Sequence, residues 1–374
     1  MEPAEAVLRF LAGVGKGSEA EFYLRLFRSR ARESFAALVV DAETMRETLD
    51  GVALDLRLLH TLSLTPVVVL GFYGDGDPQQ SAAQLHARLQ TTGTPSVTIP
   101  LPGRGEAIVA AAASGTIPVV CLQAPDLDGR LRELAQMLTE LHTHKLIFLR
   151  SEGGLTLAGQ PLSVINLSDE FGALFARPEW SEAQRGLLTS SQRLALELVP
   201  HELLVTFTSP LGLLHELFTV KGAGTLLRRG ARIVRHEGLQ GVDIERLRAL
   251  LESSFGRQPK QATLERPYAA SYIESRYRGA ALVMSTRLGS YLSKFAVTRE
   301  AQGEGIGRDL WQAMIAEHPV LFWRARSHNA IRGWYEKQCD GLVRVKDWTV
   351  YFKGLPPERI PEAIGHALSQ PLDF

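Results

Sequence analysis

Three cationic side chains in one short stretch of the chain suggest a site for an acidic substrate. Lys294, Arg324 and Arg326 lie within a segment that ends at Tyr335. The planar guanidinium of arginine binds a carboxylate through two parallel hydrogen bonds, and the ammonium of lysine adds a point charge. Taken singly, each cation is typical of a surface ion pair. Taken together, they favour a substrate with two carboxylates.

A glycine-rich segment lies between these cations. Residues 302–307 read QGEGIG; the apolar run KFAV precedes them, and RDLWQAMIAEH follows with Leu310, Trp311 and Met314 at helical spacing. A glycine loop that leads from a strand into a helix can bind phosphate, because the first amides of the helix have no partner within it. Glycines let the backbone approach such a ligand closely and reach positive φ.

Four interpretations of this loop compete. A Walker A loop would end in Gly-Lys-Ser/Thr, but Arg308 and Asp309 follow Gly307. A dinucleotide-binding loop would need an acidic residue after the next strand, PVLFW, and none closes it. The Q/R-x-x-G-x-G/A pyrophosphate loop of the GNAT acyltransferases fits every position. A tight loop without a ligand is the fourth interpretation.

The segments around the loop favour the acyltransferase interpretation. The predicted order is strand, glycine loop, helix, strand, loop, and a helical turn that carries Trp334 and Tyr335. The motifs KF, QGEGIG, LW, FWRAR and WY occur together and in that order. With them, residues from about 201 to 354 resemble the acetyltransferase domain of the N-acetylglutamate synthase family. More narrowly, they resemble its vertebrate-type synthases and the bacterial bifunctional synthase–kinases.

This resemblance implies that acetyl-CoA donates an acetyl group to the α-amino group of L-glutamate, without a metal. The residues that it places at glutamate are Lys294, Phe295, Arg324, Arg326 and Arg228, the last at a position where the family has lysine. The residues that it places at acetyl-CoA are Val297, Gln302, Gly303, Gly305, Ile306, Gly307 and Asn329. Asn329 would then form a hydrogen bond near the thioester.

The resemblance makes Tyr335 the general acid that protonates the departing CoA thiolate. A phenol with a pKa of about 10 is protonated at neutral pH, so it can donate a proton. Direct attack by the amine needs no covalent intermediate, so Cys339 is not expected to be a nucleophile. No general base is evident in the sequence.

The composition excludes several classes of protein. A chain of 374 residues with 45% hydrophobic and 22% charged residues is typical of a two-domain globular protein. Because 41 basic residues balance 41 acidic ones, no nucleic-acid or membrane-surface partner is predicted. No apolar run is long enough to span a bilayer, and no secretory signal is visible. Cys121 and Cys339 are predicted to be free thiols in a reducing compartment, the cytoplasm.

The first half of the chain alternates β runs with helical stretches, which predicts a parallel α/β sheet. The predicted strands are residues 35–40, 66–71, 96–99, 117–122, 145–149 and 203–208. The predicted helices are residues 80–90, 105–113 and 127–141, with a further helix inside residues 1–35. This region resembles an amino-acid kinase. The predicted fold class is therefore α/β: an amino-acid-kinase-like parallel-sheet α/β domain, residues 1–200, followed by a GNAT (acyl-CoA N-acyltransferase) α+β domain, residues 201–374.

The residues of kinase chemistry are missing from this first domain. A kinase of the resembled family ends its first strand in Lys-x-Gly-Gly, whereas Asp41 follows Val40 here. The turn after the second strand carries the bulky Phe72 and Tyr73, and residues 181–194 contain no lysine. Phosphoryl transfer needs fixed positive charge. We therefore predict an inactive domain with a regulatory or architectural role.

The resemblance also implies L-arginine as a feedback regulator and a homo-oligomer, either a dimer or a tetramer. Three other functions stay open. A GNAT enzyme for a different amino acid or amine would turn over another acceptor. A non-catalytic arginine or acyl-CoA sensor would bind acetyl-CoA without turnover. An active kinase would phosphorylate N-acetylglutamate with ATP.

Overall fold

The computed structural model describes residues 17–28, 35–74, 76–101, 105–168, 171–219, 222–302, 304–329 and 331–373. The chain divides into two compact units, residues 1–230 and 231–374. The predicted boundary after residue 200 therefore moves to residue 230. The physical reason is that two strands between these positions pair within the first sheet and belong to its core.

The first unit is built around an eight-stranded sheet. Its strands are β1 (Ala37–Val40), β2 (Val67–Leu70), β3 (Ser96–Pro100), β4 (Ile117–Cys121), β5 (Lys145–Leu149), β8 (Val164–Asn166), β9 (Leu204–Thr208) and β10 (Thr225–Arg228). Their order across the sheet is β3-β4-β2-β1-β5-β9-β10-β8. All neighbours are parallel except β9 and β10, which are antiparallel. Two short strands, β6 (Thr156–Leu157) and β7 (Gln160–Pro161), form a separate hairpin.

Helices cover both faces of this sheet. They are α1 (Gly17–Arg28), α2 (Ala42–Thr61), α3 (Pro78–Gln90), α4 (Gly105–Ala113), α5 (Leu127–Glu140), α6 (Phe171–Phe175), α7 (Glu182–Arg193) and α8 (Pro210–Phe218). Val39 and Val69 belong to one hydrophobic cluster, while their neighbours Leu38 and Val68 belong to the cluster on the other face. Burial on both faces explains why these strands are continuously apolar.

The predicted elements of the first unit are confirmed to within one or two residues at each end. Helix α1 lies inside the predicted N-terminal helical region, of which residues 1–16 and 29–34 fall outside the described part. Helix α2 was not predicted. Its local signal is Asp41, whose side chain accepts a hydrogen bond from the backbone N–H of Thr44 and caps the helix.

The second unit is a seven-stranded sheet with helices on its faces. Its strands are β11 (Ile233–Glu237), β12 (Ala270–Glu274), β13 (Gly279–Thr286), β14 (Gly289–Val297), β15 (Leu321–Arg326), β16 (Gly341–Val345) and β17 (Trp348–Lys353). Their order is β11-β12-β13-β14-β15-β17-β16. Its helices are α9 (Ile244–Phe255), α10 (Gln261–Leu264), α11 (Ile306–Glu317), α12 (Arg332–Gln338) and α13 (Ile360–Ser369). The sequence analysis missed α10, β16 and α13.

The central strands of this sheet separate along their length. Strands β14 and β15 are parallel and pair only at Ser290–Leu321, Tyr291–Phe322 and Leu292–Trp323. Beyond these pairs both strands continue without pairing to each other. The register with β13 also shifts at this point, so that Ser293 is an extra, bulged residue. The result is an opening between β14 and β15 that begins where the predicted site begins.

Candidate active site

The glycine loop connects β14 to the start of α11, as predicted. Gly305 occupies the N-cap position with a φ of 79°, in the left-handed region that favours glycine. Because Gly305 has no side chain, it cannot cap the helix, and the first amides of α11 need another partner. The side chain of Ile306 is buried in the core, so only its backbone is available to a ligand. Gly303 lies outside the described residues.

The loop lies beside the end of β14. A Cβ atom added to Gly307 would lie 3.6 Å from Cγ2 of Val297 and 3.7 Å from Cε1 of Phe295. The side-chain amide of Gln302 donates a hydrogen bond to the backbone oxygen of Val297, at 3.4 Å. The structure therefore brings the predicted cofactor residues Val297, Gln302, Gly305, Ile306 and Gly307 together at one edge of the opening.

A buried carboxylate anchors this loop through an arginine that the sequence analysis did not identify. Glu274 is 2% exposed, and its side chain accepts hydrogen bonds from the backbone N–H groups of Arg276 and Arg278. The guanidinium of Arg278 contacts Glu274 at 3.2 Å and Glu304, inside the glycine loop, at 3.0 Å. This network neutralises an acidic residue in a loop predicted to bind phosphate.

Lys294 follows the bulge in β14 and is almost entirely buried. Its ammonium donates hydrogen bonds to the backbone oxygen and the hydroxyl of Ser293, each at 3.1 Å, and forms an ion pair with Asp373. Burial lowers the pKa of Lys294 to about 8, and the charges of Arg266 and Arg324 act in the same direction, while Asp373 opposes the shift. The Lys294 ammonium therefore lies in a desolvated site, with Asp373 as its ion-pair partner.

Arg324 and Arg326 lie two residues apart on β15, so their side chains leave the same face of the strand. Their guanidinium carbons lie 4.2 Å and 4.1 Å from the centroid of the Trp348 ring. Arg324 also donates hydrogen bonds to the backbone oxygens of Leu368, Gln370 and Pro371. Burial is the main cause that lowers the pKa of Arg324. The side chain of Arg326 is 40% exposed and lies 3.7 Å from Asp347.

Sequence reasoning missed two residues of this site, Asp373 near the end of the chain and Arg266 in the loop before β12. One carboxylate oxygen of Asp373 contacts Lys294, and the other lies 2.5 Å from the guanidinium of Arg266. Neither residue belongs to a motif, and Asp373 is 79 positions from Lys294 in the chain. Only the cation-rich composition of the site could have indicated that an acidic partner was needed.

Phe295 and Tyr335 lie on the other face of the sheet. Lys294 pairs with Leu282, and Phe295 pairs with Ala281, so the side chains of Lys294 and Phe295 point to opposite faces. The Phe295 ring stacks on Trp334 with centroids 5.3 Å apart, and its centroid lies 6.4 Å from that of Tyr335. The predicted substrate residues therefore border the opening from both faces.

Tyr335 is buried in an aromatic cluster. Its ring centroid lies 5.5 Å from Trp323 and 5.4 Å from Tyr351. Burial raises the pKa of Tyr335, and the proximity of Tyr351 contributes in the same direction. Its phenol therefore keeps its proton throughout the physiological pH range. Phe322 and Trp323 belong to the core, since both are at most 1% exposed.

Asn329 organises the turn between β15 and α12. Its side-chain oxygen accepts a hydrogen bond from the backbone N–H of Ile331 at 3.2 Å, and the backbone N–H of Asn329 donates to the backbone oxygen of Arg326 at 2.9 Å. The side chain is partly exposed. Its predicted contact with acetyl-CoA stays a prediction, and the group that would make it is the side-chain NH2.

Arg228 belongs to the first unit rather than to the second. It lies on β10 in the first unit, where it is buried and donates a hydrogen bond to the backbone oxygen of Arg229 at 3.1 Å. The sequence analysis assigned it to the acetyltransferase domain because the boundary was set too early in the chain. Its predicted contact with glutamate stays a prediction.

Neither cysteine is paired or activated. Cys121 and Cys339 are both free, and burial raises the pKa of the Cys339 thiol, which disfavours the nucleophilic thiolate. Among the described residues, no group of three His, Cys, Asp or Glu side chains is arranged to hold a metal ion. Within the same residues, none of the helices is both long enough and apolar enough to span a bilayer.

Comparisons with known proteins agree with this architecture. Residues 234–369 match the family model for the N-acetyltransferase domain of N-acetylglutamate synthase. Over 96% of its length the chain is 30% identical to an acetylglutamate kinase of Xanthomonas campestris, 99% of which is covered. Over 99% of its length it is also 30% identical to the mitochondrial N-acetylglutamate synthase of Danio rerio, 80% of which is covered.

A solved structure shows the same fold over both units. The N-acetylglutamate synthase of Neisseria gonorrhoeae, complexed with coenzyme A and N-acetylglutamate, superposes with a TM-score of 0.53 at 18% identity. The match covers 94% of this chain and 96% of that protein, which has also been solved with coenzyme A and L-arginine. The chain thus belongs to the N-acetylglutamate synthase family of vertebrate-type synthases and bacterial synthase–kinases, in which an amino-acid-kinase-like domain precedes a GNAT acetyltransferase domain.

Proposed function

We propose that this protein is an N-acetylglutamate synthase, an enzyme of arginine biosynthesis that transfers the acetyl group of acetyl-CoA to the α-amino group of L-glutamate. The observation that carries the proposal is the position of its cations. Lys294, Arg324 and Arg326 border an opening between β14 and β15, beside a glycine loop whose helix amides can bind a pyrophosphate. An acyl-CoA and a dicarboxylic amino acid would meet in this opening.

The separated strands explain how the two substrates reach each other. Because β14 has no partner on one edge beyond Leu292, its backbone is available to hydrogen-bond an extended ligand. The CoA pyrophosphate would bind at the start of α11, with Val297 and Gln302 along its path. The thioester would then point towards the face that carries Phe295 and Tyr335.

The reaction needs a neutral amine. After the ammonium of glutamate loses a proton, the amine attacks the thioester carbonyl, a C–N bond forms, and the C–S bond breaks. The departing thiolate takes one proton, which we assign to Tyr335. Burial raises the pKa of this phenol, and the same burial would raise the proton affinity of a thiolate beside it. The acylated nitrogen releases its second proton to solvent, and solvent returns a proton to the phenol, so the protons balance.

The test is release of free CoA from acetyl-CoA, with and without L-glutamate, in the wild type and in Tyr335→Phe. We expect glutamate-dependent release in the wild type and a loss of about 10²-fold or more in kcat for the variant. Tyr351→Phe is the matched control, because it removes a hydroxyl from the same aromatic cluster, 5.4 Å away between ring centroids. Equal losses in both variants would remove the role assigned to Tyr335.

A panel of other acceptors separates the alternatives. Turnover only with another amine would keep the acetyltransferase and discard glutamate as its substrate. Binding of acetyl-CoA without turnover of any amine would support the sensor instead. The three cations favour glutamate over acceptors that carry a single carboxylate.

Kinase activity is a second candidate, because the X. campestris relative is named for it. Two features of the first unit support an inactive domain instead. Asp41 follows β1, where the kinases carry a lysine, and its carboxylate is used to cap α2. Phe72 and Tyr73 pack their rings on Phe148 at the end of β2, where the kinases carry glycines. Measured ATP-dependent phosphorylation of N-acetylglutamate would support kinase activity instead.

The regulator, the assembly and the location belong to the same proposal. Since the N. gonorrhoeae enzyme has been solved with L-arginine, we assign L-arginine as an effector that binds the first unit. A change in glutamate turnover on addition of L-arginine would test this assignment. A dimer or tetramer, measured by light scattering, and the cytoplasm, measured by fractionation, complete the proposal.

A further inference from the structure

The cation cluster of the second unit already holds a carboxylate, and that carboxylate belongs to the chain itself. The two oxygens of Asp373 bridge Lys294 and Arg266. The side chains of Lys294, Arg266 and Asp373 are only 3%, 12% and 16% exposed. Two nearly buried cations that share one carboxylate are arranged as a receptor for an anion.

The cluster carries more positive charge than Asp373 neutralises. Arg324 acts electrostatically on both Lys294 and Asp373, but it donates hydrogen bonds to the neutral backbone oxygens of Leu368, Gln370 and Pro371. Three cations therefore face one carboxylate among the residues that the structure describes. A buried excess of charge is costly unless a ligand compensates it. A free amino acid with two carboxylates would do so.

The segment that carries Asp373 is held mainly by polar contacts. Beyond the end of α13, the backbone oxygen of Asp373 accepts hydrogen bonds from the Lys260 N–H at 2.9 Å and from the Thr263 hydroxyl at 3.1 Å. Lys260 also reaches the backbone oxygen of Leu372 at 3.0 Å. The side chain of Leu372 is 53% exposed and anchors nothing in the core. A segment held in this way can detach without unfolding the helix before it.

We propose that Lys294 and Arg266 form the subsite for one carboxylate of the amino-acid substrate, and that Asp373 occupies this subsite until the substrate displaces it. This inference rests on the proposed function and adds Arg266 to the substrate-binding residues. Asp373 resembles the ligand because its side chain ends in the same carboxylate. No covalent step is involved, since one carboxylate replaces another on the same two cations.

Because Asp373 occupies the subsite, removing its charge should lower the KM for glutamate. Asp373→Asn keeps the shape of the side chain but removes its charge. The competent fraction of the free enzyme then rises, so the KM for glutamate should fall at least about threefold with little change in kcat. A residue needed for catalysis or for the integrity of the site would instead lower kcat or raise KM.

A substitution at Arg266 should change the KM for glutamate in the opposite direction. Arg266→Gln should raise the KM for glutamate about tenfold or more and leave the KM for acetyl-CoA unchanged, because a charge-assisted contact with one substrate is lost. Arg266→Lys, which keeps the charge, should recover part of the loss. Arg287→Gln is the matched control, since Arg287 forms an exposed ion pair with Glu362 in the same unit.

The deciding experiment measures binding as well as turnover. Glutarate, a dicarboxylate without an amino group, is titrated by calorimetry into the wild type, Asp373→Asn and Arg266→Gln, and hydrogen exchange of residues 370–373 is followed with and without it. We expect tighter binding in Asp373→Asn, weaker binding in Arg266→Gln, and faster exchange of the segment in the wild type when glutarate is bound. The inference would be overturned if both variants bound glutarate with the affinity of the wild type. It would also be overturned if glutarate did not change the hydrogen exchange of residues 370–373. Failure of the wild type to acetylate glutamate would refute the proposed function alone, because the titration does not depend on turnover.

Discussion

The alkaline pH dependence of glutamate use should be set by Lys294. This side chain must be charged to bind a carboxylate, and in the folded protein its pKa is lowered from 10.5 to about 8. Desolvation is the first cause of the lowered pKa; the carboxylate of Asp373 opposes the shift, and the charges of Arg266 and Arg324 add to it. Lys294→Arg keeps the positive charge on a group that does not titrate in this range.

The size of the effect follows from the titration curve. With a pKa of about 8, Lys294 is about nine-tenths charged at pH 7 and about one-tenth charged at pH 9. Activity falls at high pH because the charged form of Lys294, which binds the carboxylate, is lost as the pH rises. The kcat/KM for glutamate should therefore fall about tenfold across this interval from Lys294 alone. Deprotonation of the substrate amine acts in the opposite direction.

The assay takes the ratio of the kcat/KM values of two enzymes, which removes the effect of the titration of the substrate amine. The kcat/KM for glutamate is measured from about pH 6.5 to about pH 9.5 in the wild type and in Lys294→Arg, with acetyl-CoA saturating. The amine titrates identically in both series, so it cancels in the ratio. We expect the ratio of wild type to variant to be flat below about pH 7 and to fall about tenfold by about pH 9.

A flat ratio across the whole range would refute this reasoning. Tyr268 and Tyr291 also lie near the cluster, but burial raises the pKa of each to about 12, so neither titrates in this interval. An alkaline limb that persists in Lys294→Arg would mean that a different group controls binding. Lys294 would then be a structural cation rather than a ligand for glutamate.

Three further predictions concern the glycine loop and the core. Arg278→Gln should raise the KM for acetyl-CoA several-fold and spare that for glutamate, because the arginine holds Glu304 in the loop; saturation kinetics with each substrate check this. Gly279→Ala should destabilise the protein by about 1–3 kcal/mol in thermal unfolding, since the new Cβ would lie 2.7 Å from Cδ1 of Leu310. Trp323→Ala should cost about 3–5 kcal/mol in denaturant unfolding, since this side chain is 1% exposed.

Local sequence patterns were sufficient for the elements of the active site. The glycine loop, the helical spacing of Leu310 and Met314, and the strand before Arg324 each depend on neighbouring residues alone. The positions of Lys294 on the strand before the glycine loop and of Tyr335 on the helical turn after the second strand were predicted for the same reason. Periodicity and turn chemistry act over a few residues, so a sequence displays them directly.

The domain boundary shows where local patterns fail. Strands β9 and β10 have ordinary strand composition, and nothing in Leu204–Thr208 or Thr225–Arg228 states which sheet they will join. Pairing places β10 between β9 and β8, and this assigned Arg228 to the first unit. Sheet order results from long-range hydrogen bonding and burial, which a single sequence does not encode at any one position.

The sequence by itself determined the fold class, the glycine loop and the presence of cations suited to a dicarboxylate. Only the tertiary structure decided what those cations contact. Lys294, Arg266 and Asp373 come from a strand, a loop and the end of the chain, and no spacing rule relates them. Their association depends on electrostatic attraction in a desolvated site, which exists only after β14 has bulged and α13 has packed against the sheet.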